Sequence, residues 1–255
     1  MALPIRLAAI CLTLALVLPC AHSQTPARTP VLAELFTSEG CSSCPPADQL
    51  LQRLDAQQPV PGAEILVLSE HVDYWDSAEG WKDPFSQVDF TYRQKKYAFH
   101  KTGDVYTPEL VIDGRKGFVG SREDTALDSI AAAAKLPKLP LQVTRLEDSG
   151  SHARIKISAD AFTGGEWPKV HLLLAIASDQ AASRVSGGEN AGRNLTHVAV
   201  VRTLEDLGAV SSAALNREVI LHVRPADMQS LRVVAFLQDP KTLEVVAAGA
   251  LARQH

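Results

Sequence analysis

The stretch over residues 34–48 constrains the fold of this chain more than any other. An apolar run typical of a buried strand, residues 31–36, enters it, and a run with leucines at helical spacing, residues 47–57, leaves it. Cys41 and Cys44 lie between the two runs. A thiol at the start of a helix has a lowered pKa because it lies at the positive end of the helix dipole, and its thiolate is the reactive form. The pattern therefore predicts a small, reversible disulfide and redox chemistry.

The N-terminal segment has the pattern of a cleaved signal peptide. Arg6 precedes an apolar run over residues 7–18, and small residues follow at 21–23. The apolar run is shorter than the roughly 20 residues that a spanning helix needs. We therefore expect residues 1–23 to be removed and the mature chain to be exported, periplasmic or secreted, with no membrane span. The alternative is a lipoprotein acylated on Cys20.

Cleavage also changes the number of cysteines. The chain has four, and Cys11 and Cys20 leave with the signal peptide, so Cys41 and Cys44 remain. A single close pair excludes a disulfide-rich secreted scaffold. Because disulfide stabilisation grows with the length of the closed loop, a bridge this short adds almost nothing to stability. The pair is therefore better suited to redox chemistry than to holding the fold.

The composition excludes two classes of partner. The chain has 255 residues, 46% hydrophobic and 21% charged, so it can bury a core and is not disordered. Its net charge is -4, which provides no basic excess for nucleic acid and no basic run for a membrane surface. The length allows one large domain or two ordinary ones.

Two further features, Glu34 and an aromatic loop, are candidates for the site. Glu34 is a carboxylate inside an apolar strand. One interpretation is that its side chain is exposed or makes a structural hydrogen bond, and the other is that it accepts protons beneath the cysteines. The loop over residues 71–85 is rich in aromatic residues, including Tyr74 and Trp75. It either packs its own aromatic side chains or forms a wall that contacts a peptide substrate beside the thiols.

Thr107 and Pro108 precede a hairpin pattern, whose turn is marked by an Asp–Gly pair at residues 113–114, and a helical pattern follows. The order of elements so far is strand, cysteine pair, helix, strand, helix, Thr-Pro, hairpin and helix. This order resembles a thioredoxin fold, with residues 41–44 as its redox motif and Thr107–Pro108 as its cis-proline element.

The thioredoxin-like resemblance implies roles for individual residues. The peptide bond between Thr107 and Pro108 is expected to be cis and close to Cys41. Since proline has no N–H, Thr107 can offer its backbone to an incoming peptide without a competing donor. Glu34 lies near the place of the buried acid of that fold.

Beyond residue 137 the pattern changes to short strands separated by turns. Strands are predicted over residues 141–146, 152–159, 170–178, 197–204, 218–223, 231–237 and 243–250. Their spacing is typical of a small antiparallel sandwich. We therefore predict an α/β thioredoxin-like domain over residues 24–137, followed by an all-β, sandwich-like domain over residues 138–255. The polar, glycine-rich segment 178–195 is either a mobile surface loop or a loop that packs against the redox domain or a partner.

Four stretches of the chain are similar to an exported bacterial family, domain of unknown function 1223. They are residues 34–48, 71–76, 80–84 and 188–193. The resemblance implies export and a shared fold for the whole mature chain, and it implies no substrate.

These observations favour an exported thiol–disulfide oxidoreductase that acts on protein or peptide thiols, with no cofactor and no metal. On this hypothesis Cys41, at the exposed side, attacks, and the shielded Cys44 resolves the mixed disulfide. Ser42 and Ser43 place no charge between the cysteines, so the sequence selects neither an oxidant nor a reductant.

Two other functions remain open. Cys41, Cys44 and His71, with His100 as a possible fourth ligand, are candidates for a Cu(I) or Zn site, because soft thiolates select those ions. A structural zinc site takes four ligands, which weighs against this alternative. A non-catalytic, secreted binding protein is the third hypothesis, since fold does not guarantee function.

Overall fold

The computed structural model describes residues 28–76, 80–148, 151–161, 169–211 and 213–252. The predicted signal peptide lies outside these ranges, so its cleavage stays a prediction. In the described residues the helices are α1 (Pro45–Gln57), α2 (Val88–Tyr97) and α3 (Glu123–Ala133), with a π-helical turn at Ala98–Thr102 and a 3-10 helix at Pro225–Ser230. The strands are β1 (Thr29–Thr37), β2 (Ala63–His71), β3 (Glu109–Ile112), β4 (Lys116–Val119), β5 (Leu139–Pro140), β6 (Gln142–Arg145), β7 (Ala153–Ala159), β8 (Val170–Arg184), β9 (Asn194–Val210), β10 (Leu215–Leu221), β11 (Leu231–Gln238) and β12 (Val245–Ala250).

The helix after the cysteines begins as the sequence predicts. Pro45 and Pro46 start α1, where backbone N–H groups have no helical partner in any case. Leu50, Leu51 and Leu54 recur on one face and are buried in the main hydrophobic core. The segment that carries the cysteines is therefore held between a buried strand and a well-anchored helix.

A nine-stranded mixed sheet forms the centre of the molecule, in the order β4-β3-β1-β2-β9-β8-β11-β12-β5. β1 and β2 are parallel, and β3 is antiparallel to β1. β2 then pairs with β9 in parallel at Ser69 and Val200. β9, β8, β11 and β12 continue the sheet with antiparallel pairs. The sheet thus takes strands from both halves of the chain.

A second sheet of three strands, in the order β10-β7-β6, covers part of the large one. β7 alternates between buried and partly buried residues, as expected of a strand that covers a core with one face. Ile155 and Ile157 of β7 share a core with Leu172 of β8 and Val233 of β11.

The predicted fold class is wrong. The chain is not an α/β thioredoxin-like domain followed by a separate sandwich, because strands outnumber helices in its described residues and one large mixed sheet takes strands from both halves. Each strand predicted in the C-terminal half does form. However, β8, β9, β11 and β12 extend the sheet that begins with β1, and Phe236 and Val245 share a core with Val31 and Leu50. The physical reason is that the outer edge of the apolar strand β2 is paired by β9 instead of being left unpaired.

In the described part of the chain, no helix combines the length and the apolar character needed to cross a membrane.

Candidate functional site

Cys41 and Cys44 form a disulfide, as the spacing predicts. Cys44 is the residue before α1, and Cys41 lies in the turn ahead of it. Both cysteines are fully buried, with 0% of their surface exposed. The expectation of an exposed Cys41 beside a shielded Cys44 is therefore wrong, and the reason is a segment from the C-terminal half of the chain.

That segment is the loop over residues 185–193, here called the cap loop, which joins β8 to β9. Asn190 is fully buried and its side-chain amide donates hydrogen bonds to the backbone oxygens of Glu39, at 2.8 Å, and Cys41, at 2.9 Å. The carboxylate of Glu189 accepts a hydrogen bond from the backbone N–H of Ser42 at 2.8 Å. The cap loop therefore packs against the cysteine segment, which was one of the two interpretations of the sequence.

A second wall of the site is formed by Trp75, Thr107 and Pro108. The peptide bond between Thr107 and Pro108 is cis, as predicted. The indole N–H of Trp75 donates to Oγ1 of Thr107 at 2.8 Å. The hydroxyl of Ser43 lies 3.3 Å from Sγ of Cys41 and 3.5 Å from the backbone oxygen of Thr107. The Ser43 hydroxyl thus lies between Cys41 and Thr107, and Trp75 holds the Thr107 side chain.

Tyr74 lies beside Thr107 and contacts α2. Its hydroxyl contacts the side-chain amide of Gln94 in α2 at 3.2 Å. Burial raises the pKa of Tyr74 to about 12, so the phenol stays neutral at ordinary pH. The side chain is partly exposed and remains available to a ligand that covers this wall.

Glu34 is buried on the other face of the large sheet. Its carboxylate accepts hydrogen bonds from Arg93, at 2.7 Å through Nε, and from the hydroxyl of Tyr97 at 2.6 Å. Burial and the charge of Glu34 raise the pKa of Glu70, the second carboxylate at this position, well above its usual range. Successive residues of a strand point to opposite faces, so Glu34 faces α2 whereas Leu35 packs near Ala47 of α1. That Glu34 accepts protons from the cysteines stays a prediction, and its contacts give it other partners.

The structure brings five other ionisable residues together beside the cysteines, and they are here called the acid–histidine cluster: Glu39, Asp48, His71, Asp83 and His197. The carboxylate of Glu39 accepts hydrogen bonds from Nε2 of His197 at 3.2 Å, from the indole of Trp81 at 3.1 Å and from the hydroxyl of Ser183. Asp83 accepts from the backbone N–H of Glu39 at 2.8 Å and from Nδ1 of His71 at 2.7 Å. The rings of His71 and His197 meet edge to face, with centroids 4.7 Å apart.

Sequence reasoning missed this cluster because its members come from separate elements. Glu39 follows β1, Asp48 lies in α1, His71 ends β2, Asp83 is in a loop and His197 lies in β9. The available signal was that most of these residues fall inside the motifs that carried the family resemblance. Nothing in their spacing shows that His197 reaches the cysteine segment.

The charges of the cluster compensate one another. Burial alone lowers the pKa of His197, but Asp48 and Glu39 outweigh burial and raise that pKa to about 10. The distance from Asp48 Oδ1 to His197 Nδ1 is 3.6 Å, so this contact is an ion pair and not a hydrogen bond. Burial also raises the pKa of Asp83, and the charge of His71 overcomes this effect and lowers it. His197 is therefore a buried imidazolium between two carboxylates.

Replacing His197 by glutamine is expected to change how stability depends on pH. The folded-state pKa of about 10 lies above the unfolded value of about 6.5, so the folded protein binds the proton more tightly. The contribution of protonated His197 to the free energy of unfolding is complete below about pH 6.5. It is lost as the pH rises toward 10, by up to about 1.4 kcal/mol per pH unit. Urea unfolding of the oxidised protein between about pH 6.5 and 9.5 measures it.

The matched control is His171→Gln, which removes a histidine paired with Asp206 at 2.7 Å in a partly exposed position. We expect this control to keep the wild-type slope, whereas His197→Gln flattens it. Equal slopes for the wild type and His197→Gln would show that His197 is not held as a buried cation.

The candidate ligands of the alternative metal hypothesis do not form a metal site in the described residues. Cys41 and Cys44 are bonded to each other, and His71 binds Asp83 through Nδ1. Within the described ranges, no group of three or more His, Cys, Asp or Glu side chains is arranged to hold a metal ion.

Comparison with known proteins supplies a family and a fold. A family model described as protein of unknown function (DUF1223) matches residues 32–238. No curated protein matches the chain. Protein AGR_C_4864 from Agrobacterium tumefaciens is similar in structure, with a TM-score of 0.71 and 22% sequence identity over 91% of this chain and 97% of that one. HBP35 of Porphyromonas gingivalis aligns with a TM-score of 0.63 and 12% identity, over 89% of this chain and 76% of that one. At these identities the likeness shows a shared fold alone.

Proposed function

We propose that this chain, which belongs to the DUF1223 family of proteins of unknown function, is an exported thiol–disulfide oxidoreductase that acts on protein or peptide thiols. The observation that carries the proposal is the setting of the Cys41–Cys44 disulfide. It lies between the cap loop and Thr107, beside a buried cluster of ionisable side chains. Since a bridge across so short a loop adds little stability, its role is better explained by exchange than by support of the fold.

Exchange at this site follows ordinary disulfide chemistry. A substrate thiolate attacks Sγ of Cys41, the bond between Cys41 and Cys44 breaks, and Cys44 leaves with the electron pair as a thiolate. The product is a mixed disulfide between the substrate and Cys41. A second thiol of the substrate then attacks the substrate sulfur of the mixed disulfide. Cys41 is released as a thiolate, so the substrate is oxidised to a disulfide and the protein is reduced. The reverse sequence reduces a substrate disulfide.

Two features of the walls suit a peptide substrate. The backbone oxygen of Thr107 lies 3.5 Å from the Ser43 hydroxyl, which contacts Cys41, and the following Pro108 has no N–H that competes for a substrate backbone. Trp75 holds the Thr107 side chain, and Tyr74 extends the same surface. In this proposal Thr107 and Pro108 pair with the substrate backbone, and Tyr74 and Trp75 contact its side chains.

The cap loop must move before exchange occurs, because both sulfur atoms are buried. Asn190 ties the loop to the cysteine segment with two hydrogen bonds, each worth roughly 0.5–1.5 kcal/mol net. A substrate backbone that replaces these bonds can displace the loop at small cost. The buried disulfide is thus compatible with turnover by substrates that bind the site.

The same burial is the specific observation in favour of the second candidate, a non-catalytic binding protein. In that case the cap loop is a permanent part of the fold and the disulfide does not exchange. The two functions differ in whether the disulfide reacts in the folded protein.

The test follows exchange between the oxidised protein and a fluorescent peptide that carries two thiols. We expect the wild type to exchange with the peptide, either by oxidising its two thiols or, once reduced, by reducing its disulfide. The Cys41→Ser/Cys44→Ser double variant is expected to be inactive in both directions. Asn190→Ala is expected to be reduced several-fold faster by a small thiol, because its cap loop is released. A wild-type rate equal to that of the double variant would overturn the proposal and support the binding protein.

A further inference from the structure

Asp48 is placed one helical turn after Cys44, on the same face of α1. Cys44 has helical backbone angles, and its carbonyl accepts the backbone N–H of Asp48 at 3.1 Å. Residues four apart in a helix are neighbours, with about 5–6 Å between their Cβ atoms. The carboxylate of Asp48 therefore lies within reach of the Cys44 sulfur.

The Asp48 carboxylate is buried and is not saturated with hydrogen bonds. The residue is 5% exposed, and within the described residues its Oδ1 atom has no hydrogen-bond partner. Buried polar atoms are nearly always hydrogen-bonded, and an exception requires an explanation. Asp48 Oδ1 forms an ion pair with Nδ1 of His197 at 3.6 Å, which is too long for a hydrogen bond, so the oxygen keeps an acceptor position that suits the proton of a neighbouring thiol.

His197 lies next to Asp48 and fixes the position of its carboxylate. Its Nδ1 atom lies 3.6 Å from Asp48 Oδ1, and its Nε2 atom is bonded to Glu39 at 3.2 Å. Among the described residues, the ring of His71 also faces His197, and His71 is itself paired with Asp83. His197 also lines a cleft of about 510 Å³ between α1 and the β8–β9 hairpin. Thr196, in the wall of this cleft, is exposed, so solvent reaches the edge of the pair.

We infer that Asp48 accepts the proton of the Cys44 thiol when Cys44 attacks a mixed disulfide, and that His197 is a positioning residue for Asp48. This inference rests on the proposed function and assigns its proton acceptor. The electron pair of Cys44 forms the bond to Sγ of Cys41, and the bond between Cys41 and the substrate breaks. The substrate leaves as a thiolate with that electron pair, and the proton of Cys44 passes to Oδ1 of Asp48. The two cysteines are oxidised and the substrate sulfur is reduced.

The experiment isolates this step. Reduced protein is mixed with oxidised glutathione, and the release of glutathione from the mixed disulfide is followed in a single turnover between about pH 5 and 9. For Asp48→Asn we expect resolution at neutral pH to slow by about 10²–10⁴-fold, the usual contribution of a positioned base, and to rise tenfold per pH unit as hydroxide replaces the carboxylate. His197→Gln is expected to slow resolution less and to keep the wild-type shape of the pH profile.

Two controls separate this role from a structural one. Asp48→Glu retains a carboxylate and is expected to recover the pH profile of the wild type, even where Asp48→Asn folds poorly. His171→Gln removes the histidine of the His171–Asp206 pair and is expected to leave every rate unchanged.

The outcomes also separate the inference from the proposed function. Wild-type protein that forms no mixed disulfide contradicts the proposed function itself. Wild-type protein that exchanges, together with Asp48→Asn that resolves at the same rate and with the same pH profile, contradicts only the role of Asp48. Failure of Asp48→Glu to restore the profile also overturns that role.

Discussion

Cys44→Ser is expected to accumulate a mixed disulfide on Cys41, whereas Cys41→Ser is expected to lose exchange completely. Cys44 directly precedes α1 and lies one turn from Asp48, so in the proposed function it is the resolving thiol. Cys41 lies under the cap loop, and in the proposed function the substrate attacks there. Without Cys44 the attacking thiol survives and nothing breaks its bond to the substrate. Intact mass after incubation with a disulfide-bonded peptide shows the adduct directly.

The two single variants control each other, since each keeps one thiol and loses the other. A stable adduct on Cys41→Ser, with none on Cys44→Ser, would reverse the roles of the two cysteines. Absence of an adduct on both variants would instead favour the non-catalytic binding protein. The redox potential of the wild-type pair in glutathione buffers then gives the direction of the reaction, with a value near thioredoxin indicating a reductant.

Arg93→Met is expected to reduce the free energy of unfolding by about 3–5 kcal/mol, because it leaves a buried carboxylate without its charged partner. The guanidinium binds Glu34 at 2.7 Å and lies 3.5 Å from Glu70, and its side chain is only 11% exposed. It also lies 5.5 Å from the ring of Phe236, so it joins α2 to both halves of the sheet. Urea unfolding at neutral pH measures the loss.

The matched control is Arg53→Met, which breaks a pair of similar length, 2.8 Å to Glu123, between side chains that are 42% and 52% exposed. We expect this variant to lose at most about 1 kcal/mol, because solvent weakens an exposed pair. Adding Glu34→Gln to Arg93→Met should recover part of the loss by removing the isolated charge. A loss from Arg93→Met as small as that of the control would show that the buried cluster does not depend on the guanidinium.

The local structure around the cysteines follows closely from the sequence. The strand before Cys41, the helix that starts at Pro45 and the disulfide itself are all predicted by apolar spacing, proline placement and cysteine spacing. The cis bond before Pro108 also agrees, although that prediction depended on the resemblance to thioredoxin. These features depend on neighbours in the chain, so local patterns are sufficient to predict them.

The candidate site could be predicted only in part, because burial depends on distant segments. Cys41 was expected to be exposed, and it is covered by Asn190, which lies far along the chain in a loop whose composition is typical of a mobile surface. Glu34 was expected beneath the cysteines, and it is bonded to Arg93 on α2. A strand pattern shows that residues alternate between two faces, but not which helix covers each face.

The sequence by itself determined most strands, the helices, the Cys41–Cys44 disulfide and the family of this protein, because each depends on spacing along the chain. Only the tertiary structure decided that one sheet runs through both halves, that the disulfide is enclosed and that Asp48 meets His197. The physical reason is the pairing of β2 with β9. Because β9 pairs with β2, the hairpin of β8 and β9 places His197 in the acid–histidine cluster and Asn190 in the cap loop over the cysteines.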